Sequence, residues 1–334
     1  MSSPSRSSQS LCDGSDGFER VWSDEFDAPT LNTSSWEVIE GWEPRTNSMT
    51  RSAWGGADEV SISDGHLVLR SRRATPAEWR KHAASPGFHG FYTGAVSTRR
   101  LRSFGGQPGR QARLCISALL PGDSSEAALA RGANVGLWPA HWLMPVHAND
   151  FDQSLGCWPD VGEIDICESV NGEPSWYGTY HWNAEYVEAD PRGLPNAHEP
   201  QNKCRVANGR SGHAEVQRCA PVEAWDTEFH EFAVEWDGAS FLRFFLDSTL
   251  ISEVRAGQTE PTRPPDNVQQ GSTKWFPVFH ADPMFLMLQT AVGGGWPGEP
   301  RDSTELPVHH RIDYVRYEVR ADAQSSAEHK GAGF

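Results

Sequence analysis

Three carboxyl groups fall within six residues in the stretch CWPDVGEIDICESVNG (157–172): Glu163, Asp165 and Glu168. Ile164, Ile166 and Cys167 lie between them and a Val-Asn-Gly turn signal follows, a strand pattern rather than a helical one. On a regular strand Glu163 and Asp165 share a face, and Glu168, five positions after Glu163, points the other way. A β-bulge at Ile166-Cys167 would insert one residue and return Glu168 to their side, which predicts three carboxyls in one patch of a sheet.

Carboxyls held that close repel one another, so one should keep its proton near neutral pH while another stays ionised. Two carboxyls about 5 to 5.5 Å apart on one side of a sugar ring can perform a retaining glycoside cleavage, one attacking the anomeric carbon and the other protonating the leaving oxygen. The plainer alternatives are a solvated strand face or a site for calcium or magnesium. The surroundings favour a sugar. Trp158-Pro159 precedes the triad, LWPAHW (137–142) comes earlier, and Tyr180-His181-Trp182 follows.

These residues resemble glycoside hydrolase family 16, and within it the laminarinase-like endo-β-1,3-glucanases. LWPAHWLMP (137–145), WPDVGEIDICESVNG (158–172), GTYHWN (178–183), FHEFAVEW (229–236), LRFFLD (242–247), MFLMLQTAVGGGWPG (284–298) and RIDYVRYEV (311–319) follow the order of that family's strands over roughly residues 18–320. The resemblance implies an all-β fold, an antiparallel two-sheet β-sandwich of the jelly-roll type with a concave substrate cleft. It implies Glu163 as nucleophile, Glu168 as general acid/base, and Asp165 hydrogen-bonded to the nucleophile. It further implies His181 beside the carboxyls and aromatic platforms at Trp142, Trp158 and Trp296. Trp138 shares the face of Trp142 if the strand is regular despite Pro139; core packing is its plainer role, and it completes the substrate-facing set. No cofactor is required for catalysis, but a structural calcium held by Glu25, the Gly65 carbonyl and Asp313 is implied. The family's usual Ser-Gly is replaced by Thr93-Gly94-Ala95, so no binding role is carried over there.

The 334 residues suit one large β domain (16–320) between a polar N-terminal tail (1–15) and a disordered C-terminal tail (321–334). A formal charge of −16 argues against nucleic acid or an acidic polysaccharide as partner and for a neutral β-glucan. No segment is apolar and long enough to span a membrane, and no signal peptide is evident. Six cysteines nevertheless favour an oxidising, extracellular setting, with Cys204–Cys219 the expected disulfide and Cys115 and Cys167 expected as buried fillers. Residues 71–90 read as an irregular surface loop, 121–134 as a loop with one helical turn, and 184–222 as a long polar loop. A monomer is the default. The rival readings are a same-fold hydrolase acting on mixed-linkage glucan or a galactan, and a non-catalytic β-glucan-binding protein.

Overall fold

The computed structural model describes residues 10–14, 16–41, 50–84, 88–105, 109–146, 162–183, 213–256 and 283–321. Two sheets form a β-sandwich of the jelly-roll type. The smaller runs in the spatial order His213–Pro221, Ser175–Asn183, Glu163–Glu168, Leu137–Pro145, Met284–Val292, Ala95–Ser97 and Glu37–Val38. The larger is built on Phe241–Leu246, His230–Trp236, Arg110–Leu119, Val308–Ala321 and His66–Arg73. Its one parallel pair among the described strands joins Ser52–Gly55 to Phe91–Thr93.

Alternation explains how the sheets meet. From the smaller sheet Leu143, Ile164, Ile166, Trp176, Tyr180, Trp182, Leu286 and Leu288 face inward, against Leu114, Ile116, Phe232, Val234, Phe244 and Val315. The opposite residues of two central strands, Ala140, Trp142, Met144, Phe285 and Met287, form a second cluster with Trp54 and Ala95 on the open face. Met284–Val292 is therefore buried along all nine residues, as its unbroken apolar run requires.

The carboxylate strand departs from regular pairing where the parity argument demands. Asp165 pairs with Thr179 but Glu168 with Tyr177, so three residues on one strand span two on the other. Against Leu137–Pro145 the same shift falls between Asp165 and Cys167. Ile166 and Cys167 both go into the core, and Trp176 donates its indole N–H to the Ile166 carbonyl at 2.8 Å. The bulge thus keeps its displaced carbonyl satisfied without water.

Several expectations are corrected. Cys115 is not a filler: it forms a disulfide with Cys12, 103 residues away. Residues 10–14 of the expected N-terminal tail are thereby fixed to the outer face of the larger sheet, where Leu11 N donates to Glu231 and the Leu11 carbonyl accepts from Arg113. Arg113, almost fully buried there, also pairs with Glu235 and Asp16. Cys12→Ser should cost about 2 to 4 kcal/mol of stability, read as a lower denaturant midpoint at unchanged slope. Cys219 carries a free thiol, and Cys204 lies outside the described residues.

Residues 71–90 include a helix, Pro76–His82, whose Thr75 and Glu78 form a capping box with Pro76 opening the first turn. The helical turn expected in 121–134 is Glu126–Arg131, ended by Gly132 at φ 75°. The C-terminal part of the expected polar loop is the edge strand His213–Pro221; residues 184–212 and the C-terminal tail from 322 lie outside the described residues. Among the described residues no helix is long and apolar enough to cross a membrane.

Candidate active site

Glu163, Asp165 and Glu168 reach the open face of the smaller sheet together, each less than a tenth exposed. His181, paired in register with Glu163, brings Nε2 to 2.9 Å from Asp165 Oδ2. Asp165 was expected to serve the nucleophile; the structure gives it His181 as a partner.

Burial and the Asp165 charge push the Glu168 carboxyl well above the usual range, with Glu163 adding to the effect and His181 and Trp138 opposing it. Burial alone would lower the pKa of His181, but the hydrogen bond and charge of Asp165, joined by Glu163 and Glu168, lift it to about 9. The shifts thus favour a cationic imidazole beside a protonated Glu168. The arrangement can supply one proton and then stabilise the anion left behind.

Trp138 supplies the second stabilising group. Its indole Nε1 donates to Glu168 Oε1 at 2.9 Å. The Trp296 ring stands edge-on to it at 5.4 Å between centroids, and Tyr177 meets Trp296 at 5.4 Å. Trp296 is 39% exposed and presents an aromatic surface beside Glu168. Its loop turns tightly, with reciprocal backbone hydrogen bonds between Gly294 and Gly298. Gly293, at φ 70°, leaves no room for a side chain against Arg51.

The roles expected of the two strand tryptophans are exchanged. Trp138, for which core packing was the plainer role, contacts the carboxyl. Trp142 is only 4% exposed and packs among Trp54, Ala140, Met144, Phe285 and Met287, where it floors the open face instead of offering a free platform. Two further tryptophans need separate statements. Trp158 lies outside the described residues. Trp54, not singled out by sequence, donates Nε1 to Gln289 Oε1 at 3.1 Å and fixes that buried amide on the open face. Tyr177 was also missed, although strict alternation back from His181 through Thr179 places it on the same face.

Trp138→Phe keeps an aromatic ring and removes the donor. The anionic form of Glu168 loses a hydrogen bond, so its pKa rises and the basic limb of a kcat pH profile moves to higher pH. The accompanying fall in kcat is expected to be about tenfold, with a smaller change in KM.

Two of the residues expected to hold calcium, Glu25 and Asp313, have other partners. Both Glu25 oxygens are taken by Arg316, at 2.9 and 2.7 Å. Asp313 lies 3.7 Å from His66 Nε2 and 3.5 Å from Ser117 Oγ. Gly65 closes the Asp64-Gly65 turn, both residues at positive φ. A guanidinium already neutralising Glu25 opposes a dication, so these residues as arranged do not fit the ion. Among the described residues no group of three or more His, Cys, Asp or Glu side chains could hold a metal.

No family model matches the chain. It is 23% identical over 315 residues to glucan endo-1,3-β-glucosidase A1 of Niallia circulans, covering 90% of this chain and 38% of that protein. To the β-glucanase of Rhodothermus marinus it is 27% identical over 305 residues, covering 90% of this chain and 84% of the relative. The chain thus spans well under half of the first relative and most of the second. The laminarinase catalytic domain of Thermotoga maritima superposes with a TM-score of 0.61 at 21% identity, over 91% of this chain and 98% of that one. The fold is that of the β-sandwich glycoside hydrolases. Within them the chain is similar in structure to laminarinase catalytic domains and in sequence to a glucan endo-1,3-β-glucosidase and a β-glucanase.

Proposed function

We propose that the protein is an endo-acting, retaining glycoside hydrolase that cleaves β-1,3-glucan by double displacement. The observation that carries this reading is the bulge, which puts Glu163, Asp165 and Glu168 on one face, where burial and the Asp165 charge raise the pKa of Glu168. Glu163 attacks the anomeric carbon and forms a glycosyl ester, while Glu168 gives its proton to the departing glycosidic oxygen. Trp138 N–H and the His181 imidazolium receive the carboxylate that Glu168 becomes, which favours the transition state over the ground state. Glu168 then takes a proton from water as that water attacks the ester, returning Glu163 to its anion. An open sheet face with Trp296 at its side suits binding within a long chain, hence internal cleavage.

The Niallia, Rhodothermus and Thermotoga relatives support laminarin-type glucan as substrate. The net charge of −16 suits a neutral polymer. The disulfide between Cys12 and Cys115 supports an extracellular location.

The test is reducing-sugar release from laminarin, lichenan, agarose and κ-carrageenan in parallel, with Glu163→Gln as control. Release from laminarin that vanishes in the control is the expected result. Release from a galactan alone would replace the substrate and keep the mechanism. A folded protein that binds laminarin and cleaves none of the four would be a binding protein instead.

A further inference from the structure

Outside the site, an aromatic surface on the helix Pro76–His82 has no role in the reaction. Trp79 is 49% exposed. Its ring lies against Gly90 so closely that a Cβ there would stand 2.6 Å from Cζ3, and Gly90 has φ 84°. Phe88, 8% exposed, meets Trp79 at 5.5 Å and Tyr92 at 5.8 Å, so Trp79 caps a small aromatic stack.

A seven-residue helix does not hold itself in water, yet this one is anchored at both levels that matter. The capping box closes its first turn, and Arg72 clamps Glu78 through two hydrogen bonds of 2.7 Å. That guanidinium also binds buried Glu59 at 2.6 Å and lies 4.9 Å above the Tyr92 ring. A half-exposed indole fixed by this much structure pays little conformational entropy on binding a flat apolar surface. The Arg80, Lys81 and His82 side chains follow it along the helix, and polar groups at the edge of an aromatic platform suit the hydroxyls of a sugar.

Position supplies the second line of argument. Arg51 forms an ion pair with Glu299 at 2.8 Å, three residues beyond Trp296. His89, next to Phe88, is lowered in pKa by burial and the Arg51 charge, with Glu299 opposing. Arg51 is thus held beside the Trp296 loop by Glu299 and its charge is felt at His89, the residue after Phe88, whose ring meets Trp79.

The geometry points to Trp79 as the centre of a second carbohydrate-binding site, which stacks on the pyranose faces of a β-glucan chain away from the carboxylates. This rests on the substrate class proposed above. It adds a holding site for polymer that the reaction itself does not use.

The experiment is affinity electrophoresis in laminarin gels, with Glu163→Gln as the uncleaving parent. Adding Trp79→Ala should weaken retardation by about fivefold, and Trp79→Phe, which keeps a flat ring, should restore most of it. Trp296→Ala should weaken retardation independently, so the two losses multiply in the double variant. Melting curves of each variant accompany the gels. A Trp79→Ala variant that melts earlier but is retarded as strongly as the parent would make Trp79 only a cover for Phe88 and overturn the site alone. A parent that laminarin does not retard at all would overturn both the site and the substrate class.

Discussion

Glu163→Gln is expected to reduce kcat on laminarin by about 10⁴-fold or more while leaving the fold and polymer binding in place. The amide matches the carboxylate in shape, and the side chain is already buried on a sheet face, so packing changes little. What disappears is the proposed nucleophile, while Asp165 keeps its contact with His181 and Glu168 its hydrogen bond from Trp138. Glu168→Gln gives the necessary contrast. It should also cripple laminarin hydrolysis, but much less so for an aryl glycoside with an acidic leaving group, because that bond breaks without proton donation. Asp165→Asn removes the strongest neighbouring charge from Glu168. Its carboxyl should then release the proton more readily, moving the basic limb of kcat to lower pH. Glu163→Gln retaining more than about a hundredth of the native rate would assign the nucleophile elsewhere.

The second large effect concerns stability in acid. Between the sheets, beneath the open face, His141 and His310 stack with Nε2 atoms 3.0 Å apart. His310 Nδ1 sits 3.2 Å from Thr290 Oγ1, and a backbone hydrogen bond involving Gln289 supports it. If Nδ1 of His310 carries its proton, His141 must donate across the pair, a tautomer set by the network. His141 also faces Phe232, at 5.6 Å, and pairs laterally with Cys167. Burial lowers the pKa of His310 to about 3, and burial together with His310 lowers that of His141 well below its usual value.

An unfolded histidine titrates near 6.5, so between there and about pH 3 the unfolded chain binds a proton that the folded one refuses. Stability is thus fully present above pH 6.5 and falls as pH drops through that window, by roughly 4 to 5 kcal/mol from His310 alone. Against a typical reserve of about 5 to 15 kcal/mol this dominates acid unfolding. Denaturant midpoints measured from pH 7 to pH 4 should show a steep decline in the native protein. The decline should be much shallower in His141→Gln/His310→Gln, whose amides keep a mutual hydrogen bond without titrating. Equal slopes would shift the cause to carboxylates. His181 acts in the opposite direction: its pKa of about 9 adds stability that is complete below pH 6.5 and is lost as pH rises through 9.

What could be read from the sequence was local. The spacing of Glu163, Asp165 and Glu168 required a bulge at Ile166-Cys167 because parity along a strand is a property of neighbours. The apolar run 284–292 required a strand covered on both faces for the same kind of reason. The capping box Thr75-Pro76-Ala77-Glu78 was equally local and went unread, since the charged residues around it suggested a loop. Other features depended on pairings between distant residues. Cys12 meets Cys115 only after the N-terminal segment crosses Arg110–Leu119, and no spacing rule connects them. Trp54 finds Gln289 across 235 residues of chain, and the burial of Trp142 depends on Trp54 and Phe285 arriving from other strands. Trp138 differs in exposure from Trp142 although both share a face, because the carboxylate strand brings Glu168 to one end of that face.

The bulge also bears on how such a site can change by descent. Loss of one codon at Ile166 or Cys167 would leave E-x-D-x-E, a spacing that on a regular strand keeps all three acids on the same face. Gaining the codon again would restore the longer spacing, provided that an indole like that of Trp176 is present to receive the extra carbonyl. The two spacings are therefore connected by a single insertion or deletion that keeps all three carboxyls on the same face and turns none of them into the core.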